Sequence, residues 1–211
     1  MIDLDKAFSA AAFRRRVYRD GEGVAEAEVY GGDHILNPSI DLTKSVVRFK
    51  DAAVLVPIVD YGDEARVILT QRTAKLRKHS GQIAFPGGGI DETDKTPEEA
   101  ALREAYEEIG LEPHFVETIG RMPQYLTGTA FRITPVLAVV RPGFKLKPNP
   151  DEVDEIFEVP LSFLMSDSNF HRGSGVFQGN ERFFYEIPYG NRHIWGITAG
   201  ILRLIYERFY R

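Results

Sequence analysis

The stretch Phe85-Pro-Gly-Gly-Gly-Ile-Asp-Glu-Thr-Asp-Lys-Thr-Pro-Glu-Glu-Ala-Ala-Leu-Arg-Glu-Ala-Tyr-Glu-Glu-Ile-Gly-Leu111 organises this chain. It reads as a strand end, a glycine turn, a short acidic loop and one helix. Thr96 suits an N-cap, Pro97 suits the first helical position, and Glu99 completes a capping box. Gly110 marks the stop, because glycine takes the left-handed conformation that follows a helix. Between these signals Ala101, Leu102, Ala105 and Ile109 form an apolar stripe. Glu104, Glu107 and Glu108 fall at i, i+3 and i+4, so they share a different face. Three carboxylates on one turn repel one another unless a cation joins them. Hard divalent cations prefer oxygen ligands, which makes Mg²⁺ or Mn²⁺ the natural partner. A Glu-Glu pair is more often a solvated helix face, so the carboxylates alone leave both readings open. The glycine turn upstream, and Arg103 at i−4 from Glu107, favour the metal.

Composition bounds the rest. The 211 residues suffice for one domain with a real core, with room for an extension. A content of 43% hydrophobic and 27% charged residues is that of an ordinary globular chain. The absence of cysteine excludes disulfides, thiolate catalysis and cysteine-type zinc sites, and fits a cytoplasmic protein. There is no apolar run long enough to span a bilayer, and Met1-Ile-Asp-Leu-Asp-Lys-Ala7 lacks the layout of a signal peptide. No membrane association is expected. A net charge of −5 argues against nucleic-acid binding through a broad basic surface.

Outward from the central stretch, residues 3–18 are expected to form a helix, with Arg14-Arg15-Arg16 at its solvated end. Residues 19–45 are rich in Gly, Asp and Pro and read as a lead-in. The division is therefore an N-terminal helical and loop extension over 1–45 and one domain over 46–211, with the extension available for a homodimer interface. Strands are expected at 52–59, 66–72, 81–85, 115–122, 131–140, 152–158, 183–187 and 192–195. Residues 161–165 suggest a short helix, and 197–210 an amphipathic one with Ile201, Leu202, Ile205 and Phe209 inward. Phe85 and Trp195 are expected in the core. Strands, helix, strands, helix is the order of a mixed sheet between helices, an α/β fold of α/β/α type.

Arg103-Glu104-Ala105-Tyr106-Glu107-Glu108-Ile109-Gly110-Leu111 resembles the Nudix box, whose pattern ends Arg-Glu-aliphatic-x-Glu-Glu-x-Gly-aliphatic. The resemblance implies the Nudix α/β/α sandwich and Mg²⁺- or Mn²⁺-dependent hydrolysis of a nucleoside diphosphate linked to another moiety. It implies that Glu104, Glu107 and Glu108 ligate metal. It gives Glu107 and Glu108 catalytic parts and makes Arg103 the residue that orients the glutamates. Two departures stand out: Lys95 occupies the position of the pattern's first Glu, and Ala105 is small for its place. The acidic residue is displaced to Asp94, so the loop is one residue longer.

Leu69-Thr-Gln-Arg-Thr-Ala-Lys-Leu-Arg-Lys-His-Ser-Gly-Gln-Ile-Ala-Phe-Pro-Gly-Gly88 is similar to the segment upstream of the box in coenzyme A pyrophosphatases, a Nudix subfamily. That subfamily shares the longer loop with an Asp-x-x-Asp such as Asp91-Glu-Thr-Asp94. Similar too are Asn149-Pro-Asp-Glu-Val-Asp-Glu-Ile-Phe-Glu-Val-Pro-Leu161 and Ile194-Trp-Gly-Ile-Thr-Ala-Gly-Ile201. The implied substrate is coenzyme A or a derivative, cleaved to 3′,5′-ADP and (acyl-)4′-phosphopantetheine. For so anionic a ligand Arg72, Arg77, His79 and Gln82 are the donor candidates, with Gly87 and Gly88 allowing close backbone approach. Lys75 and Lys78 are weaker candidates, and Glu152 or Glu155 is a candidate base or ligand from a loop. An ADP-ribose or other nucleoside-diphosphate pyrophosphatase, and a catalytically idle nucleotide-binding regulator, are the alternatives.

Overall fold

The computed structural model describes residues 6–21, 31–38, 48–75, 80–177 and 179–211. The centre is a pair of ten-residue strands, β2 (Lys50–Val59) and β8 (Phe131–Val140), which run parallel with Lys50 opposite Phe131 and Val59 opposite Val140. Both are rich in β-branched and aliphatic residues, as strands buried on two faces must be. β3 (Arg66–Arg72) returns antiparallel on β2, and β9 (Val153–Pro160) and β4 (Ile83–Ala84) pair with β3. β5 (Gly87–Gly89) pairs with the start of β2; β6 (Val116–Arg121) and β7 (Tyr125–Leu126) pair with β8. β1 (Gly31–Gly32) adds in parallel to β7. The nine strands form one mixed sheet, in accord with the sequence reading.

Alternation along each strand divides the interior in two. Ala52, Val56, Ile58, Val67, Leu69, Ile133, Leu137 and Val139 face the core shared with helices α1 (Ala10–Gly21) and α4 (Ile197–Phe209). Ala53, Leu55, Val59, Ile68, Val136, Ala138 and Val140 face α2 (Pro97–Ile109). A short helix, α3 (Leu161–Leu164), follows β9. β10 (His171–Phe177), β11 (Asn180–Tyr189) and β12 (Arg192–Trp195) form a second, antiparallel sheet whose Ile187 and Ile194 insert into the first core.

Four local expectations are corrected. The first helix starts at Ala10, because Lys6–Ser9 instead form a turn closed by Ser9 on the Lys6 carbonyl. Arg14-Arg15-Arg16 therefore lies inside the helix; Arg14 pairs with Glu117, and Arg16 bonds the Ala7 carbonyl and covers the Tyr210 ring. The strand expected over 81–85 is limited to Ile83–Ala84, and the glycines that follow form a separate strand on β2. Trp195 stands outside the core, packed on Phe184 and His193 of the small sheet, while Phe85 is buried. Among the described residues no helix is long and apolar enough to cross a membrane.

Candidate active site

The termini of α2 follow from its sequence. Thr96 Oγ1 accepts the Glu99 N–H at 3.2 Å, and the Glu99 carboxylate accepts the Lys95 N–H at 2.8 Å, one residue before the cap. Gly110 ends the helix at φ 67°. Ala100, Ala101 and Ala105 are fully buried, so the helix lies close against the sheet, and a larger residue at 105 would hold it off. Leu102 is only half-buried.

This packing brings the acidic face of α2 against the glycine strand. A side chain at Gly88 would meet the Glu104 carboxylate at 2.6 Å, and one at Gly87 would meet the Ala53 carbonyl at 2.4 Å. The two glycines are thus places of close approach. Glu108 Oε2 accepts the Gly87 N–H at 3.1 Å, and its Oε1 accepts from Arg72 at 3.3 Å. Burial separates the three glutamates: side-chain exposure is 3% at Glu108, 16% at Glu104 and 52% at Glu107.

Arg103 is the hub. Its Nη1 donates to Glu104 at 2.9 Å and to Glu107 at 3.1 Å. Its Nε and Nη2 grip both oxygens of Asp94 at 3.1 and 2.8 Å, and Nη2 also reaches the Gly89 carbonyl. Asp94 in turn accepts the Asp91 N–H at 2.9 Å. The Asp-x-x-Asp of the longer loop therefore closes on itself and clamps the arginine. Arg103 holds the Asp94 carboxyl below the usual range, and Asp94 is the first cause of a raised Arg103 pKa.

The loop before β9 completes the surroundings. Lys147 and Asn149 donate their N–H groups to the carbonyls of Ile109 and Glu108, groups that a helix end leaves without partners. Asn149 then accepts the Glu152 and Val153 N–H groups, and the Glu152 carbonyl accepts the Thr73 N–H. The charge of Glu152 is consequently felt by both Glu104 and Glu108. Glu155 is different: it pairs with Arg192, whose guanidinium lies over Phe157.

Electrostatics follow from this crowding. Burial pushes the Glu108 carboxyl up to about 7; the Gly87 N–H and Arg72 oppose the rise, and Glu152 and Glu104 add to it. Glu104 is raised too, first by burial, against the pull of Arg103 and with help from Glu107 and Glu152. Among the described residues no three acidic or imidazole groups converge as a finished metal cage. The glutamate oxygens are instead taken by Arg103, Arg72 and the Gly87 N–H. The donor set nevertheless fits a hard divalent cation: it is all oxygen, and beyond the effect of burial the charge of Glu107 adds to the rise at Glu104 and that of Glu104 to the rise at Glu108.

The structure thus gathers Arg103, Glu104, Glu107, Glu108, Arg72, Gly87 and Gly88. Gln82 lies nearby and accepts the Arg72 N–H through its carbonyl. Arg77, Lys78 and His79 lie outside the described residues, and Lys75 is exposed. Asp94 and Asn149 matter more than local spacing suggests. Their signals were the Asp-x-x-Asp pattern and the prolines flanking Asn149. Two concavities elsewhere, one beside Asp33 and Arg203 and one along β9, do not include the α2 carboxylates.

The NUDIX domain family matches residues 49–174, more than half of the chain. A Nudix hydrolase named NudL from Salmonella heidelberg is 39% identical over 169 residues, covering 80% of this chain and 86% of that protein. NudL of Klebsiella pneumoniae is 42% identical over 161 residues, covering 76% of this chain and 83% of its own. The crystal structure of DR0079 from Deinococcus radiodurans matches with a TM-score of 0.50 at 14% identity, over 78% of this chain and 86% of that one, which is a likeness of fold. With the capped carboxylate helix set on a mixed sheet between helices, these relationships make the chain a member of the Nudix hydrolase family.

Proposed function

We propose that the protein hydrolyses the diphosphate of coenzyme A or its derivatives, giving 3′,5′-ADP and (acyl-)4′-phosphopantetheine, with Mg²⁺ or Mn²⁺. The observation that carries the hydrolytic reading is the carboxylate face itself: Glu104 and Glu108 lie against the glycine strand, Glu107 shares the Arg103 bridge with Glu104, and the charge of Glu152 acts on both Glu104 and Glu108. Support for the coenzyme A class comes from the segments resembling that subfamily, three of which bear on the site. Leu69–Gly88 supplies Arg72 and the glycine strand, Asp91–Asp94 clamps Arg103, and Asn149–Leu161 docks on the end of α2.

Glu104 and Glu108, with Glu107 at the exposed edge, are the residues that would hold the cation. When bound, it neutralises charge on the diphosphate and acidifies a water. Arg103 holds Glu104 and Glu107 in place through one nitrogen. Glu152 is the base we assign to the attacking water, because it is the loop carboxylate near the site without the ion pair that ties Glu155 to Arg192. Arg72 receives the phosphate oxygens. Water adds to one phosphorus, the bridging P–O bond breaks, and the released phosphate takes the leaving electron pair.

Incubation of the protein with Mn²⁺ and coenzyme A, followed by chromatography, should give equimolar 3′,5′-ADP and 4′-phosphopantetheine. Rapid cleavage of ADP-ribose with coenzyme A untouched would refute the substrate class. Glu108→Gln should fold as wild type by circular dichroism yet lose at least about a hundredfold in kcat; wild-type turnover would remove Glu108 from the site.

A further inference from the structure

We propose that Arg72 is an exchangeable counter-ion: it neutralises Glu108 in the metal-free protein, yields that carboxylate to the divalent cation, and turns to the anionic substrate. The proposal rests on the metal-dependent reading above. It starts from the two oxygens of Glu108. One is held by the Gly87 N–H, a backbone group fixed by the pairing of β5 with β2. The other is held by the end of a long side chain. Glu108 has almost no access to solvent, and a buried carboxylate needs a partner for each oxygen. Among the described residues, Arg72 is the cation that touches it.

Arg103 is unsuited to exchange. All three of its nitrogens are engaged with Asp94, Glu104, Glu107 and the Gly89 carbonyl, two of them in a bidentate grip on Asp94. Arg72 makes one contact with Glu108, at 3.3 Å, long for a charge-assisted hydrogen bond. It sits at the last position of β3, where pairing with β9 shifts register between Gln71 and Arg72. Its backbone is anchored by the Gln82 carbonyl, and its side chain is 26% exposed. The guanidinium can therefore leave Glu108 for solvent or ligand without moving the strand. A cation on Glu108 Oε1 would also repel the guanidinium outward, towards the place an anion occupies. Metal and anion binding are then positively coupled through one arginine.

Two measurements on substrate-free protein test this. In the first, Mn²⁺ is titrated at pH 8 into chelator-treated wild type, Arg72→Met and Arg72→Gln, with free Mn²⁺ read by electron paramagnetic resonance. Both variants should bind Mn²⁺ roughly fivefold tighter or more, the low end of ordinary coupling between sites. In the second, the wild type alone is treated with phenylglyoxal and mapped by mass spectrometry. Mg²⁺ should speed modification of Arg72 roughly fivefold relative to Arg103, and sulfate should slow it again. Equal or weaker Mn²⁺ affinity in both variants, or modification of Arg72 not hastened by Mg²⁺, overturns the exchange. Lack of protection by sulfate overturns the anion-binding half. A guanidinium that stayed on Glu108 as a fixed brace would not be made more reactive by Mg²⁺. If coenzyme A is not cleaved but these shifts occur, the substrate reading fails and the exchange stands. If the wild type binds no Mn²⁺, both fall.

Discussion

Glu108 carries an opposition between its burial and its charge. Its folded pKa, about 7, lies above the unfolded value of roughly 4.3. The stability it contributes in chelator is therefore fully present below ~4.3 and is lost as pH rises through about 7, on the order of 3 kcal/mol between the ends. Asp94 and Glu98, whose pKa values are lowered, have the opposite sign: their contributions are present above their unfolded values and lost as pH falls into the acid range, outside this window. Melting curves in chelator should show wild type less stable at pH 8 than at pH 5, with Glu108→Gln reducing the difference and the raised Glu104, of the same sign, retaining part of it. A second contrast separates two neighbours on the β9 side. Glu152→Gln should cost about 10²–10⁴ in kcat, as loss of a general base does. Glu155→Gln should stay within a few-fold, since it breaks a half-exposed ion pair with Arg192 rather than a contact to the α2 carboxylates. Initial rates of both variants at saturating metal decide it. The sequence showed both as acidic residues ahead of or within a strand. Which of them has its charge felt at the α2 carboxylates depends on the docking of Asn149 on the helix end, a contact between distant segments.

At the scale of the element, α2 was readable because its signals are local: cap, proline, alanines and terminal glycine all act within a turn or two. What spacing did not reveal is what the helix lies against. The adjoining glycines differ in the atoms they approach, and this predicts different failures. At Gly88 an added methyl meets the end of the Glu104 side chain, which can move aside. Gly88→Ala should keep melting within a few degrees of wild type while lowering kcat at least about tenfold, because the displaced carboxylate is one of the proposed metal ligands. At Gly87 the methyl meets the backbone of Ala53 and Val54 in β2, which cannot give. Gly87→Ala should therefore lose fold as well as activity, by calorimetry and assay of the same preparations. The small sheet explains the misplacement of Trp195. A lone tryptophan reads as core on hydrophobicity, yet β12 alternates, and Ile194 takes the inward position that Trp195 leaves.

At the scale of the molecule, the body is larger than the family match over 49–174. Phe13 is fully buried and meets Phe209 edge-on, so α1 and α4 close one side of the sheet together. Asp33 accepts from Tyr125 and from the Gly128 N–H, and Asn37 exchanges two hydrogen bonds with the Phe183 backbone. Phe13→Ala should cost about 3–5 kcal/mol by denaturant titration, the toll of a vacated core site, with metal affinity unchanged because α2 lies across the sheet. The strands were largely visible from their β-branched runs, but their order was not, since pairing depends on partners far along the chain. The β2–β8 ladder is the extreme case. Parallel neighbours need a crossover, and here it contains the hairpin, the glycine strand and the whole of α2. The central ladder closes only after the chain has looped through the segment that forms the candidate site. Loop closure of that span makes the assembly of this core slow. A newly made chain thus exposes the hydrogen-bonding edge of β2 before β8 exists to pair with it, and the interval of greatest risk from aggregation lies in its synthesis rather than in its working life.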